Sequence, residues 1–114
     1  MMKKTLLLLC FLCSFFGVSA QHAMDGVWTG KLNVGPQTLT LVLHVAHEAS
    51  GNAVCSLDSP DQGAMNIPVK SDYCSADSIS VSLEQLGLSY QGRLKGDEIV
   101  GTFMQGAAFP LTLK

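Results

Sequence analysis

Basic residues are scarce in this sequence of 114 residues, where seven Lys and Arg stand against nine Asp and Glu. Beyond residue 20, five basic residues remain against the same nine acidic ones, a net charge of −4. Nucleic-acid binding requires a basic face that displaces counterions from phosphates. The charge balance therefore argues against a nucleic-acid partner, and mild acidity is ordinary for an exported protein.

Familiar catalytic motifs are also missing. Beyond residue 20 the chain has no G-x-S-x-G nucleophile elbow, no C-x-x-C pair, no H-E-x-x-H and no Gly-rich phosphate loop. Leu57-Asp58-Ser59 is similar to the turn that carries the aspartate of aspartic proteases. Pro60, however, stands where that turn needs a glycine with a free backbone N–H. The sequence thus predicts a protein that is not an enzyme and needs no cofactor.

Metal-ligand patterns are weak in this sequence. His44 and His47 are three apart on a predicted strand, so we expect them on opposite faces, solvated and without a shared metal ion. Calcium at Asp58 and Asp61 would need six or more oxygen ligands, and no bidentate glutamate follows at loop spacing. His22 is expected in a frayed terminus. We therefore predict no metal site.

The longest apolar run, residues 6–16, is too short to span a bilayer, which takes about 20 residues in a helix. It follows a basic pair and precedes Val-Ser-Ala at 18–20, the small residues that signal peptidase accepts. This pattern predicts a signal peptide over residues 1–20 and one mature domain over 21–114. The mature protein is expected in the periplasm or outside the cell, without a membrane span.

No stretch shows a convincing 3.6-residue apolar stripe, and period-two alternation dominates instead. Clear examples are 38–45, 78–83 and 109–113, with further runs near 26–34, 52–58, 66–74, 88–95 and 98–105. Short turns separate about eight such strands, which is typical of an antiparallel meander. Because open sheet edges invite aggregation, we predict an all-β, up-and-down barrel. A small β-sandwich is the alternative.

Alternation assigns twenty bulky side chains to the barrel interior. An eight-stranded barrel is only just wide enough for its own side chains, so this set predicts a packed core, and a small-molecule pocket is the alternative. The inward set is Trp28, Leu32, Leu39, Leu41, Leu43, Val45, Leu57, Ile67, Val69, Ile79, Val81, Leu83, Leu88, Tyr90, Leu94, Ile99, Phe103, Phe109, Leu111 and Leu113.

Two cysteines follow the leader, Cys55 and Cys74, and a pair in an exported chain suggests a disulfide. A hairpin centred near residue 64 would place them opposite each other. Alternation, however, puts Cys55 inside and Cys74 outside with Lys70 and Asp72, so a bulge would be needed to join them. The disulfide is left open by these two arguments.

One stretch, SLDSPDQGAMNIP at 56–68, is unusually polar for a chain of strands. The side chains of this stretch can form hydrogen bonds with nearby backbone: the carboxylates of Asp58 and Asp61 as acceptors, and the hydroxyl of Ser59 as donor or acceptor. Pro60 fixes its own φ, and the glycine at 63 permits a positive φ. We interpret the stretch as a self-satisfied connection between two strands. The alternative is a partner-binding surface built on that connection.

Several segments in order resemble the N-terminal domain that precedes the catalytic domain in many secreted bacterial α/β-hydrolases of the esterase type. The match covers nearly all of the chain beyond the leader, and LDSPDQGA is its most specific part. The segments are DGVWTGKL (25–32), LTLVLHV (39–45), LDSPDQGA (57–64), IPV (67–69), YQG (90–92), IVGTFMQG (99–106) and PLTL (110–113).

The resemblance implies a non-catalytic accessory or binding module, since the hydrolase triad lies in a domain that would follow Lys114. Such a module would bind a secreted hydrolase or another protein as its partner. Alternatively, it would bind a small apolar molecule as its ligand. By analogy with lipocalin-like barrels, Trp28 would plug one barrel end. Gln62 and Gln105 each precede a glycine at the end of a similar segment, and their side-chain amides would lie at one mouth of the barrel. The candidate binding residues are these two glutamines together with Asp58, Ser59 and Asp61.

Overall fold

The computed structural model describes residues 22–114, and the predicted leader lies outside this range. Eight antiparallel strands follow in sequence order, each paired with its neighbours in the chain. Two single-turn 3-10 helices, η1 and η2, join β3 to β4 and β5 to β6. The elements are β1 (Gly26–Val34), β2 (Gln37–His47), β3 (Ala53–Ser59), η1 (Pro60–Gln62), β4 (Ala64–Cys74), β5 (Ser78–Leu83), η2 (Glu84–Leu86), β6 (Leu88–Lys95), β7 (Glu98–Gln105) and β8 (Ala108–Leu113).

The sheet curls into a nearly closed barrel, because its first and last strands meet. Thr29 and Lys114 exchange two backbone hydrogen bonds of 2.8 Å, each N–H donating to the other's carbonyl. Gly30 makes the approach possible, since a Cβ at this position would lie 2.3 Å from the carbonyl oxygen of Thr112. The predicted up-and-down barrel of eight strands is therefore confirmed. Within residues 22–114 no helix is long and apolar enough to cross a membrane.

Because successive strands run in opposite directions, the connections between them lie alternately at the two ends of the barrel. The upper mouth carries the β1–β2 turn at 35–36, η1, η2 and the β7–β8 turn at 106–107. The lower mouth carries the N-terminal segment 22–25, the 48–52 and 75–77 connections, the 96–97 turn and the C-terminal Lys114.

The interior is filled by the side chains that alternation predicts. Every member of the inward set is buried or half-buried. The void among them measures only about 10 Å³, no more than a single water could occupy. A packed core is thus confirmed for the barrel interior. One core residue lies outside the prediction: Met24, 1% exposed, belongs to the same apolar cluster.

Candidate functional site

The polar connection between β3 and β4 is built on a break in the strand ladder. Leu57 pairs with Ile67 but Ser59 pairs with Ala64, so one extra residue lies on the β4 side. Asn66 takes a positive φ of 55° in this bulge. Its backbone N–H points out of the ladder and donates to Asp58 Oδ1 at 2.7 Å. The Asp58 carboxylate thus replaces the hydrogen bond that the bulge removes.

Asp58 has a second partner on the neighbouring strand. His44 Nε2 donates to its Oδ2 at 2.7 Å, and the Asp58 side chain is 6% exposed. The Asn66 N–H and the His44 imidazole hold the pKa of this carboxyl below its usual value, because both hydrogen bonds favour the ionised form. Asp58 is therefore a buried carboxylate whose two oxygens are both engaged in holding strands together.

The rest of the connection is also tied down. Pro60 opens η1, and the N–H of Gly63, in the left-handed region, donates to the Pro60 carbonyl at 3.0 Å. Ser59 Oγ donates to Gln62 Oε1 at 2.6 Å. Asp61 Oδ2 accepts from the backbone N–H of Thr40, on the part of β2 that extends beyond β3. These bonds agree with the interpretation of a self-satisfied connection.

A pocket of about 220 Å³ opens at the upper mouth, and both candidate amides line it. Gln62 comes from the end of η1 and Gln105 from the end of β7. Gln105 Nε2 donates to the Leu86 carbonyl at 3.2 Å, and its Oε1 has no hydrogen-bond partner among the described residues. A third glutamine, Gln37 at the start of β2, also lines the pocket. The apolar lining consists of Leu32, Val34, Leu39, Leu41, Phe103 and Phe109.

The two amides do not bond to each other. Since Gln62 Oε1 accepts from Ser59 and Gln105 Nε2 donates to Leu86, each amide has one group committed and one group available. The pocket at the upper mouth is therefore lined by an amide with an uncommitted N–H group on Gln62, an amide with an uncommitted carbonyl on Gln105, the Gln37 side chain and an apolar set. Asp58, Ser59 and Asp61 do not line this pocket; they fix the connection that carries Gln62.

The N-terminal segment closes the lower mouth, contrary to the expectation of a frayed terminus. The Asp25 N–H donates to the His22 carbonyl at 3.1 Å, which turns the segment across the barrel end. Trp28 Nε1 donates to the Met24 carbonyl at 2.9 Å. Met24 fills that end, while Trp28 is half-buried against the core and anchors the segment.

The histidines of β2 lie on opposite faces, as expected, but His47 is not solvated. It follows Leu43 and Val45 on the inner face, and its side chain is 11% exposed. His47 Nδ1 donates to Asp25 Oδ1 at 2.5 Å, and its ring stacks on that of His22 with centroids 3.9 Å apart. The prediction that it is a surface residue was wrong, because alternation carries it inward at the last position of the strand.

Both cysteines are free thiols in the structure. The predicted outward position of Cys74 was wrong, because a second bulge lies between Ser71 and Tyr73 and shifts the alternation. Cys74 consequently packs against the core. Burial, and then the charge of Cys74, raises the pKa of Cys55 to about 11. Burial, and then the carboxylate of Asp25, raises the pKa of Cys74.

Comparison of the chain with protein families, with curated proteins and with solved structures finds no match. The site residues that sequence reasoning missed are Met24, Asp25 and Asn66. Asn66 carries a signal, since asparagine tolerates the left-handed region better than most residues. Met24 and Asp25 carry none, because they precede the first alternating run and only the barrel end gives them partners.

Proposed function

We propose that this chain is an exported, non-catalytic binding module whose upper mouth takes a small, largely apolar ligand. The observation that carries the proposal is the pocket that three glutamines, Gln37, Gln62 and Gln105, line together with six apolar side chains. Gln62 keeps an uncommitted N–H group and Gln105 an uncommitted carbonyl. Binding sites combine an apolar lining with a few placed polar groups, and this pocket has that composition.

The chemistry of the pocket suggests the ligand class. A donor and an acceptor that line one pocket match a group that both accepts and donates, such as a carboxamide or a protonated carboxylic acid. The pocket is about 220 Å³, below the roughly 300 Å³ at which typical ligand sites begin. We therefore propose a short-chain amide or acid, with its apolar chain against Phe103 and Phe109.

Two contacts support a non-catalytic role for the connection. His44 and Asp58 form an imidazole–carboxylate pair of the kind that activates a serine, but Ser59 Oγ donates to Gln62 rather than to His44. Asp58 also accepts a hydrogen bond from the backbone N–H of Asn66. These partners fit a structural role for the polar residues of LDSPDQGA.

Hexanamide, a short-chain amide, is a suitable probe for the test. In a proton–nitrogen NMR titration we expect hexanamide to shift the side-chain amide signal of Gln62 and the backbone signals around Gln105. Replacing both glutamines with alanine should abolish the shifts of the backbone signals around residue 105, because the ligand loses both hydrogen bonds. Gln91→Ala is the matched control, since Gln91 is an exposed glutamine on β6 that does not line the pocket.

Unchanged affinity in the double variant would overturn the proposal, and so would hydrolysis of a simple ester by the pure protein. Native mass spectrometry of protein from its source would reveal a ligand that is retained through purification.

The second candidate is a regulatory domain that contacts a serine esterase in trans, as the resemblance implies. Its support is a pair of exposed apolar side chains beside the same mouth, Met65 at 58% and Leu86 at 52% exposure. A hydrolase that co-purifies with the protein and is lost on Met65→Ser and Leu86→Ser would favour it. Sequencing the DNA downstream for a hydrolase reading frame is the independent check.

A further inference from the structure

Three side chains with metal-binding groups converge at the lower mouth, at the opposite end from the proposed ligand pocket. His22, Asp25 and His47 each offer one ligand atom, and these atoms all lie within 4.8 Å of one another. The three residues come from two places in the chain, the N-terminal segment and the last position of β2. Their convergence is a product of the fold, and it goes beyond the function proposed above.

The backbone holds this cluster in place. The turn from His22 to Asp25 is closed by a hydrogen bond of 3.1 Å. Met24, inside that turn, is fully buried, and Trp28 binds its carbonyl. The turn is thus anchored from within the barrel, with His22 and Asp25 exposed on either side of the anchor. His47 is held by the strand and has little room to move away.

We propose that His22, Asp25 and His47 form a binding site for a divalent transition-metal ion, with Zn²⁺ as the ion that fits best. Two imidazole nitrogens and one carboxylate oxygen are a ligand set that zinc takes in sites with three protein ligands. Calcium and magnesium prefer sites made of oxygen ligands alone. The mixed set therefore selects against them.

The distances allow binding after small side-chain rotations. Two ligands of a tetrahedral zinc ion lie roughly 3.3 Å apart, given metal–ligand bonds of about 2.0 Å. The present spread is within 4.8 Å, and His22 and Asp25 are exposed and free to turn. The ion would take the place of the proton between His47 and Asp25, and the His22 ring would leave its stack on His47.

Space for the fourth metal ligand is also present. A pocket of about 220 Å³ lies beside the cluster and is lined by both histidines, Gly51, Cys74 and Ser75. Sites with three protein ligands keep their fourth position for water or a substrate atom. Bound metal would tie the N-terminal turn to β2 and so stabilise the closed lower mouth.

Calorimetric titration of the metal-stripped protein with zinc chloride tests the site. The protein must carry no polyhistidine tag, because a tag would bind zinc itself. We expect one zinc ion per chain and no measurable binding of calcium. His47→Gln and Asp25→Asn should each weaken zinc binding by at least about tenfold, as should His22→Gln. His44→Gln is the matched control. His44 lies on the outer face and bonds to Asp58, so this variant should bind zinc as tightly as the unaltered protein.

Three results would overturn the assignment. Loss of binding in His22→Gln with normal binding in His47→Gln would place the ion on the segment 22–25 alone. Loss in Cys74→Ser together with normal binding in His47→Gln and Asp25→Asn would place it on the thiol and not on the three residues. Absence of zinc binding to protein that shows its normal thermal unfolding would remove the site altogether. Because His22 and Asp25 are exposed, their variants are expected to fold, and an unchanged unfolding midpoint without zinc verifies this.

Discussion

Asp58 lies at a position that alternation assigns to the outside of the barrel, yet its side chain is almost fully buried. The sequence predicted that it would bond to the backbone of a connection, because aspartate and serine side chains in turns commonly hydrogen-bond the backbone just ahead of them. It did not predict the particular partners, since the Asn66 amide becomes available only where β4 bulges and His44 comes from another strand. The hydrogen-bonding role of Asp58 could be predicted from the sequence. Its partners could not, because they depend on how the strands pair.

Asp58→Asn is expected to lower the urea midpoint of unfolding at neutral pH, because the ionised carboxylate accepts both hydrogen bonds. The pKa of Asp58 is lowered in the folded state, so its stabilisation is present above the unfolded value of about 3.9. That stabilisation is lost as the pH falls through the folded-state pKa. The difference between variant and wild type should therefore shrink in acid. Asp72→Asn, at an exposed position, is the control, and an equal loss there would contradict the argument.

At the scale of the strand, uninterrupted alternation was a reliable guide. Runs 26–34, 88–95 and 98–105 were predicted with the bounds of β1, β6 and β7. β4 was predicted less well, because it carries irregularities at both ends. A bulge shifts the inward and outward faces of every residue beyond it. Asn66 is a weak mark of the first bulge, since asparagine tolerates positive φ, and nothing in the local sequence marks the second.

The second bulge of β4 brings Cys74 against the core but leaves it half-buried, whereas Cys55 is buried. The two thiols should therefore react at different rates. The thiolate is the form that alkylating reagents attack, and burial raises the pKa of Cys55 to about 11. We expect iodoacetamide at pH 8 to modify half-buried Cys74 much faster than buried Cys55, as followed by peptide mass spectrometry. In urea the two should react at similar rates. A native protein that reacts at neither cysteine, with an intact mass two protons below the reduced value, would show instead that they are bonded.

At the scale of the whole molecule, the number of strands and their closure into an up-and-down barrel follow from the sequence. The close packing of β1 against β8, the seam of the barrel, does not, because period-two alternation carries no information about how near two strands approach. Gly30 is the residue that decides it, because only a position without a side chain lets Thr112 approach so closely. The upper pocket has the same origin, since Gln62 and Gln105 converge only once the barrel has curled.

Gly30→Ala is expected to destabilise the protein by about 1–3 kcal/mol, the usual cost of forcing a methyl group into packed surroundings. Urea unfolding measures the change. The backbone amides of Thr29 and Lys114 should also exchange with solvent faster, because their mutual hydrogen bonds form the seam. Thr29→Ala changes only an exposed side chain and should alter stability by less than about 0.5 kcal/mol. Equal stability of Gly30→Ala and wild type would mean that the seam is not packed as described.

The position of Lys114 has a practical consequence. β8 runs toward the lower mouth, and Lys114 pairs with Thr29 near that end. A linker attached at this residue would orient the molecule on a sensor chip with Gln62 and Gln105 facing the flowing solution. Immobilisation through Lys114 therefore leaves the upper mouth accessible for screening small molecules.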